Sequence, residues 1–159
     1  LIIEGIHGLN PTILDNIPRR KKYKIYISPL TCLNLDNQNR ISTSDNRLLR
    51  RIIRDNRHRG NDVNYSLDKW ASVRAGEEKN IFPYQDEADV VFNSSLIYEI
   101  GVLKTYVEPL LYLVDIDSPH YEEAKRLINM LKMFLPIPSE DIPKDSILRE
   151  FIGGGCFRQ

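Results

Sequence analysis

The sequence predicts an α/β domain with a mainly parallel sheet, and three observations carry that prediction. Short β-branched runs alternate with stretches whose apolar residues recur at helical spacing. They follow one another as strand, helix, strand, helix, the order that builds parallel sheets, and not in separate blocks. A length of 159 residues with 42% apolar content suits one compact domain with its own core.

The strand candidates are Leu1 to Ile6, Tyr23 to Ser28 and Ala88 to Phe92, each bounded by polar or turn-forming residues. Between the second and third, Leu48, Leu49, Ile52 and Ile53 form an apolar stripe. The run Ser42-Thr43-Ser44-Asp45 precedes it and Gly60 closes it, so a helix is predicted over about residues 45 to 58. A second helix follows from Val63, Leu67, Trp70 and Val73, with Asp62 as its cap and a fade near Gly76. After Asn93, the residues Leu96, Ile97, Ile100 and Leu103 give a third helix ending near Pro109, and Leu110 to Ile116 reads as a further strand. Ser118-Pro119 with Glu122 and Glu123 starts a fourth helix, whose apolar face runs from Tyr121 to Phe134 before Pro136 and Pro138 stop it. A last short helix is predicted from Ser146 to Ile152, and Gly153-Gly154-Gly155 reads as a flexible tail.

Lysine plus arginine and aspartate plus glutamate stand at 22 each, so attraction to nucleic acid or to a membrane would need a local patch. Cys32 and Cys156 are far apart and lack metal-ligand partners at the usual spacing, which fits a reducing compartment. The apolar run Leu1-Ile2-Ile3 is too short for a signal or a membrane span, so a cytoplasmic protein is expected. A buried-strand pattern beginning at residue 1 also leads us to expect that the natural chain extends towards the N-terminus.

Two segments carry chemistry. Glu4 stands at the end of an apolar strand candidate and precedes Gly5, where open α/β sheets place a ligand crevice. One carboxylate with waters and phosphate oxygens suits Mg²⁺; the alternative is a glutamate that caps the following turn. His7 in the adjoining loop is, on its own, an ordinary hydrogen-bonding histidine. The second segment is the helix bearing Arg47, Arg50, Arg51, Arg54, Arg57 and Arg59. Guanidinium groups match phosphate oxygens bidentately and stay charged, as stabilising a transferring phosphoryl group requires. The competing reading is a solvated basic face paired with Asp45 and Asp55, and a further one is a basic helix on nucleic acid. Against nucleic acid stand the zero net charge and the lack of aromatic residues among the arginines.

Glu4-Gly5-Ile6-His7, the run Asp45 to Asp55 through Arg59-Gly60, and Glu87-Ala88-Asp89-Val90-Val91-Phe92 together resemble the uridine kinase and phosphoribulokinase family of P-loop kinases. The resemblance covers residues 1 to 108, and residues 109 to 159 look like the C-terminal extension of that family's longer members. It implies the C-terminal portion of a three-layer αβα kinase domain and transfer of the ATP γ-phosphate to a hydroxyl of a nucleoside, uridine-like, or of a sugar-containing acceptor. Glu4 falls on the magnesium-associated glutamate, Arg54 and Arg59 on lid arginines over the ATP phosphates, and Arg51 on an arginine facing the acceptor. His7 falls on the acceptor side and is closest to the phosphoribulokinase branch. Asn61 and Lys69 stand where nucleoside kinases carry arginine and glutamine, so the acceptor stays open. No Gly-x-x-x-x-Gly-Lys-Ser/Thr loop occurs in the sequence. The implied partner is therefore an upstream P-loop segment of the same protein, with ATP and Mg²⁺ as cofactors. Membrane and nucleic-acid partners are not expected, and a homo-oligomer stays open. The reading from another class is a non-catalytic module whose arginine helix binds an acidic partner or RNA.

Overall fold

A computed structural model describes residues 1–32, 34–38 and 40–157. It is α/β, with a parallel sheet of two strands, and the chain divides into two compact units. The strand unit comprises residues 1–28 and 69–94, and the helical unit residues 29–68 and 95–159.

In the strand unit, β1 (Ile25–Ser28) and β2 (Val90–Asn93) pair in parallel, with Ile25 opposite Val90 and Ser28 opposite Asn93. Beyond the strands the ladder extends at both ends, from Asp89 N–H to the Lys24 carbonyl at 2.9 Å and from Ser94 N–H to the Ser28 carbonyl at 3.0 Å. The expected strand over Leu1 to Ile6 does not form. A β-run without a neighbouring strand leaves its main-chain groups to water, and none is hydrogen-bonded to this one among the described residues. A turn instead begins at Gly5, whose carbonyl accepts the Gly8 N–H at 2.9 Å.

The helical unit holds α1 (Thr43–Arg59), α3 (Glu99–Leu111), α4 (Tyr121–Leu131) and the four-residue α5 (Arg149–Ile152). Helix α2 (Val63–Asn80) contributes residues to both units. It continues past Gly76, where the sequence predicts a fade, because its last turns bury Glu77 beside Arg74, 2.8 Å away. The apolar stripes of α1, α3 and α4 close one core around Leu48, Leu49, Leu103, Leu127 and Leu131, with Leu148 from the segment before α5. Each of these is at most 1% exposed, so full burial of each contributes about 1.5–3 kcal/mol.

The expected strand over Leu110 to Ile116 is also absent. Helix α3 runs through Pro109 to Leu111, and two further turn bonds follow, Leu113 N–H to Leu110 O and Val114 N–H to Leu111 O. Leu111 and Val114 are buried while Tyr112 and Leu113 are exposed, a spacing of three that belongs to a helical turn and not to a strand. Pro109 lies one turn from the helix end, where few later bonds depend on continuing the ladder.

After α4 the chain returns against α3. Ile137 N–H donates to the Gly101 carbonyl at 3.0 Å, and Lys104 Nζ donates to the carbonyls of Leu131 and Phe134, both at 2.9 Å. A Cβ on Gly101 would stand 2.8 Å from the Leu135 carbonyl oxygen, so only glycine admits this approach. The Gly153 segment is not the free tail its composition suggests: Gly153 is buried, and its carbonyl accepts from Arg149 Nη1 at 3.1 Å.

Candidate functional site: the arginine helix

Helix α1 is specified at both ends. The Ser42 side chain accepts the Ser44 N–H at 3.1 Å, and Asp45 lies in the first turn, where a carboxylate complements the helix dipole. At the far end Arg57, His58 and Arg59 occupy the last turn. Gly60, at φ 65°, closes the helix in the left-handed region, and its N–H returns to the Asp55 carbonyl.

The centre of the site is Asp55, fully buried within this basic helix. Its Oδ1 accepts from Arg59 Nη1 at 2.7 Å, and its Oδ2 accepts from the Ser66 hydroxyl at 3.1 Å and forms an ion pair with Arg51 Nε at 3.1 Å. Arg51, Asp55 and Arg59 therefore form a row one turn apart, with one buried carboxylate between two guanidiniums. Arg54, on the adjacent row, reaches Glu150 at 3.3 Å. Arg57 donates to the Ile152 carbonyl at 2.9 Å, and His58 Nε2 is 3.1 Å from the Glu150 carbonyl.

The sequence expectations can be placed one by one. Arg51, Arg54 and Arg59 are brought together on the C-terminal half of α1, with side-chain exposures of 17%, 39% and 54%. Arg54 and Arg59 each donate one hydrogen bond to a carboxylate through Nη1, whereas Arg51 Nε stands 3.1 Å from Asp55 as an ion pair without a hydrogen bond. Asp55 pairs with the helix arginines as the competing reading held, whereas Asp45 pairs with Arg126, at 2.7 Å. Arg126 also binds Glu123, and these two carboxylates, Glu123 first, raise its pKa further above the ordinary arginine value. Arg50 does not face an open crevice. It is buried, makes a two-point pair with Glu99 at 2.7 Å for both bonds, and lies 5.2 Å from the Phe151 ring centre.

Glu4 and His7 belong to the strand unit, exposed on the turn-forming segment at its start. The Glu4 carboxylate makes no hydrogen bond among the described residues, so its hard oxygens are available to a cation that takes one protein carboxylate and fills its sphere with water and phosphate. Among the described residues no group of three or more His, Cys, Asp or Glu side chains converges on one point.

Composition and spacing did not disclose Glu99, Ser66 and Glu150, the groups that fix Arg50, Asp55 and Arg54 in turn. The first two lie on other helices and the third on α5, and contacts at a separation of 49 residues (Arg50 to Glu99) or 96 (Arg54 to Glu150) leave no local pattern. No family model matches the chain, and no curated protein or solved structure is significantly similar to it.

Proposed function

We propose that this chain is the C-terminal portion of an ATP-dependent kinase that transfers the γ-phosphate to a hydroxyl of a nucleoside or sugar-containing small molecule. The finer fold that goes with this reading is the three-layer αβα P-loop arrangement, with the phosphate loop supplied by an upstream segment of the same protein. One observation carries the reading: Arg51, Arg54 and Arg59 share the end of one helix, each held beside a carboxylate, with the side chains of Arg54 and Arg59 partly exposed to an anion. Bound guanidiniums that need no reordering are what phosphoryl transfer uses, because it relies on positioning and on charge already in place.

In this reading Arg54 and Arg59 contact the ATP phosphates, Arg51 and His7 lie on the acceptor side, and Glu4 holds Mg²⁺, directly or through water. The metal, when bound, neutralises charge on the phosphate oxygens. The acceptor hydroxyl forms a new bond to the γ-phosphorus, the bond to the ADP oxygen breaks, and the hydroxyl proton leaves to a base in the upstream segment.

The test is ATP consumption with Mg²⁺ against a panel of nucleosides and sugar phosphates. It compares residues 1–159, the protein carrying its preceding sequence, and that longer protein with Glu4→Gln or Arg54→Ala. Turnover is expected only in the longer protein, reduced about 100-fold or more in each variant. Absence of turnover in the longer protein, together with salt-sensitive RNA binding lost on replacing the α1 arginines, would establish the binding module instead.

A further inference from the structure

Five of the six residues from Arg19 to Lys24 are cationic, and the sixth is Tyr23. The backbone here is bonded into a fixed shape. Arg19–Lys21 is a 3₁₀ turn, in which the Lys21 and Lys22 N–H groups return to the Pro18 and Arg19 carbonyls at 2.9 and 3.0 Å, and Lys22 then extends the chain towards β1. Two of the cations hold the segment in place. Arg19 pairs with Asp89 and donates to the Lys22 carbonyl at 3.0 Å. Lys24 pairs with Glu87 at 2.7 Å, and its N–H donates to Asp89 at 2.7 Å. Asp89 and Glu87 are thereby occupied. Arg20 and Lys21 are exposed and meet no acceptor among the described residues, and Tyr23 beside them is 72% exposed.

This is the local patch that a chain of zero net charge needs in order to attract a polyanion. Unlike α1, it carries an aromatic ring among its cations. Single strands are held by that combination, with cations on phosphates and an exposed ring on which a base of any identity stacks. A duplex is read by a helix or a two-stranded ribbon in its groove, which a three-residue turn does not supply. A partner that reads an extended basic peptide is not served by a segment bonded into a turn. An anionic lipid surface fits less well, because stable attachment takes a second anchor beside a basic patch. The turn is also too short to lay an apolar helical face among headgroups.

We propose that Arg20, Lys21 and Tyr23 form a site for single-stranded nucleic acid, RNA or DNA, of any sequence. The two cations bind neighbouring phosphates and the ring lies under one base. The site precedes β1, at the N-terminal ends of both strands of the parallel pair, whereas open α/β sheets hold their ligands outside the carboxyl ends. It uses no residue of the arginine helix and no step of phosphoryl transfer, so it stands or falls separately from the proposed function.

NMR titration of the chain with an oligouridylate and an oligothymidylate, each of about eight nucleotides, tests this. Both are expected to bind alike, with the largest amide shifts at Arg19 to Tyr23. Each phosphate contact adds about 0.7 to the salt slope of a single strand, so two contacts weaken binding about sevenfold between about 50 and 200 mM salt. In the Arg20→Ala, Lys21→Ala double variant that salt dependence should vanish. Tyr23→Ala should instead weaken binding about fivefold or more at an unchanged salt slope, and Tyr23→Phe should keep it. Unshifted β1 and β2 amides in each free variant are the check that the fold is intact. The proposal is overturned by absence of binding, by binding of one oligonucleotide only, by shifts that map to α1, or by a salt slope that survives the double variant. Tyr23→Ala binding as tightly as the unaltered chain would overturn it too, leaving an unspecific anion patch. Binding to vesicles of equal parts phosphatidylcholine and phosphatidylserine, with none to either oligonucleotide, would replace it with a lipid surface.

Discussion

The two units spend their apolar residues in opposite ways. In the helical unit nearly every large apolar side chain of α1, α3 and α4 is buried, and the charges that accompany them are paired, as Arg50 is with Glu99. In the strand unit Tyr26 is the one buried hydrophobic among the described residues, while Ile25, Ile27, Val90, Val91 and Phe92 stand exposed on a sheet of two strands. Two paired strands bury little on their own. The difference teaches what closure requires: three amphipathic helices have buried one another's apolar faces, whereas two short strands leave theirs exposed.

The comparison breaks most readily at Glu99. Replacing it with alanine strands the buried Arg50 guanidinium and exposes the Leu96 N–H it accepts at 2.8 Å, so unfolding in urea is expected to come about 3–5 kcal/mol earlier. The Arg50→Met, Glu99→Leu double variant is expected to recover most of that loss. A loss as large in the double variant would mean that the pair is needed for more than charge balance. A cavity is the next test: Leu48→Ala, in a side chain with no exposure, is expected to cost about 2–5 kcal/mol. Gly60→Ala places a Cβ at φ 65° and is expected to cost about 1–2 kcal/mol, read from the same urea midpoints. Ile27→Thr, on the open sheet edge, is expected to change stability in residues 1–159 by less than about 0.5 kcal/mol; a cost near that of Leu48→Ala would erase the contrast between the units.

The smallest effect concerns acid. The Arg19 guanidinium, and after it the Lys24 N–H, hold the Asp89 carboxyl below the usual carboxylate range. A depressed value in the folded state means that the tie between the segment before β1 and the start of β2 is present at neutral pH. It is lost as pH falls through that lowered value, below about 4. Following the Asp89 carboxyl by NMR should give a midpoint below the ordinary one, and Arg19→Ala should move it back up.

Helices were the legible part of this fold. The stripe of Leu48, Leu49, Ile52 and Ile53, the Ser42 cap and the Gly60 stop gave α1 to within a turn, and Asp62 does cap α2, accepting the Tyr65 N–H at 2.8 Å. These signals are local: each is written within a few residues of its effect. The expected strands at Leu1 to Ile6 and Leu110 to Ile116 carry equally β-branched or apolar residues, yet neither found a neighbour to pair with. A strand exists only through another segment, and composition does not say whether one is at hand. At the candidate site the helical spacing of Arg51, Arg54 and Arg59 was legible for the same reason that α1 was, and so was the Asp55 pairing one turn away. The Glu99 and Glu150 partners were not, because they are met only after the chain has folded back.

The contact between α3 and the segment after α4 also has a mechanical side. Ile137 is bonded to Gly101 in the first turn of α3, and Lys104 grips the carbonyl of Leu131, at the end of α4, and that of Phe134 beyond it. A pull from the C-terminal end meets the α5 contacts to α1 first, and once these have yielded it reaches the three bonds before α4 can peel away. In an optical-tweezers experiment anchored at the C-terminal end, the returning segment should part from α3 after the α5 contacts have yielded, and Lys104→Met should lower the force of that later rupture.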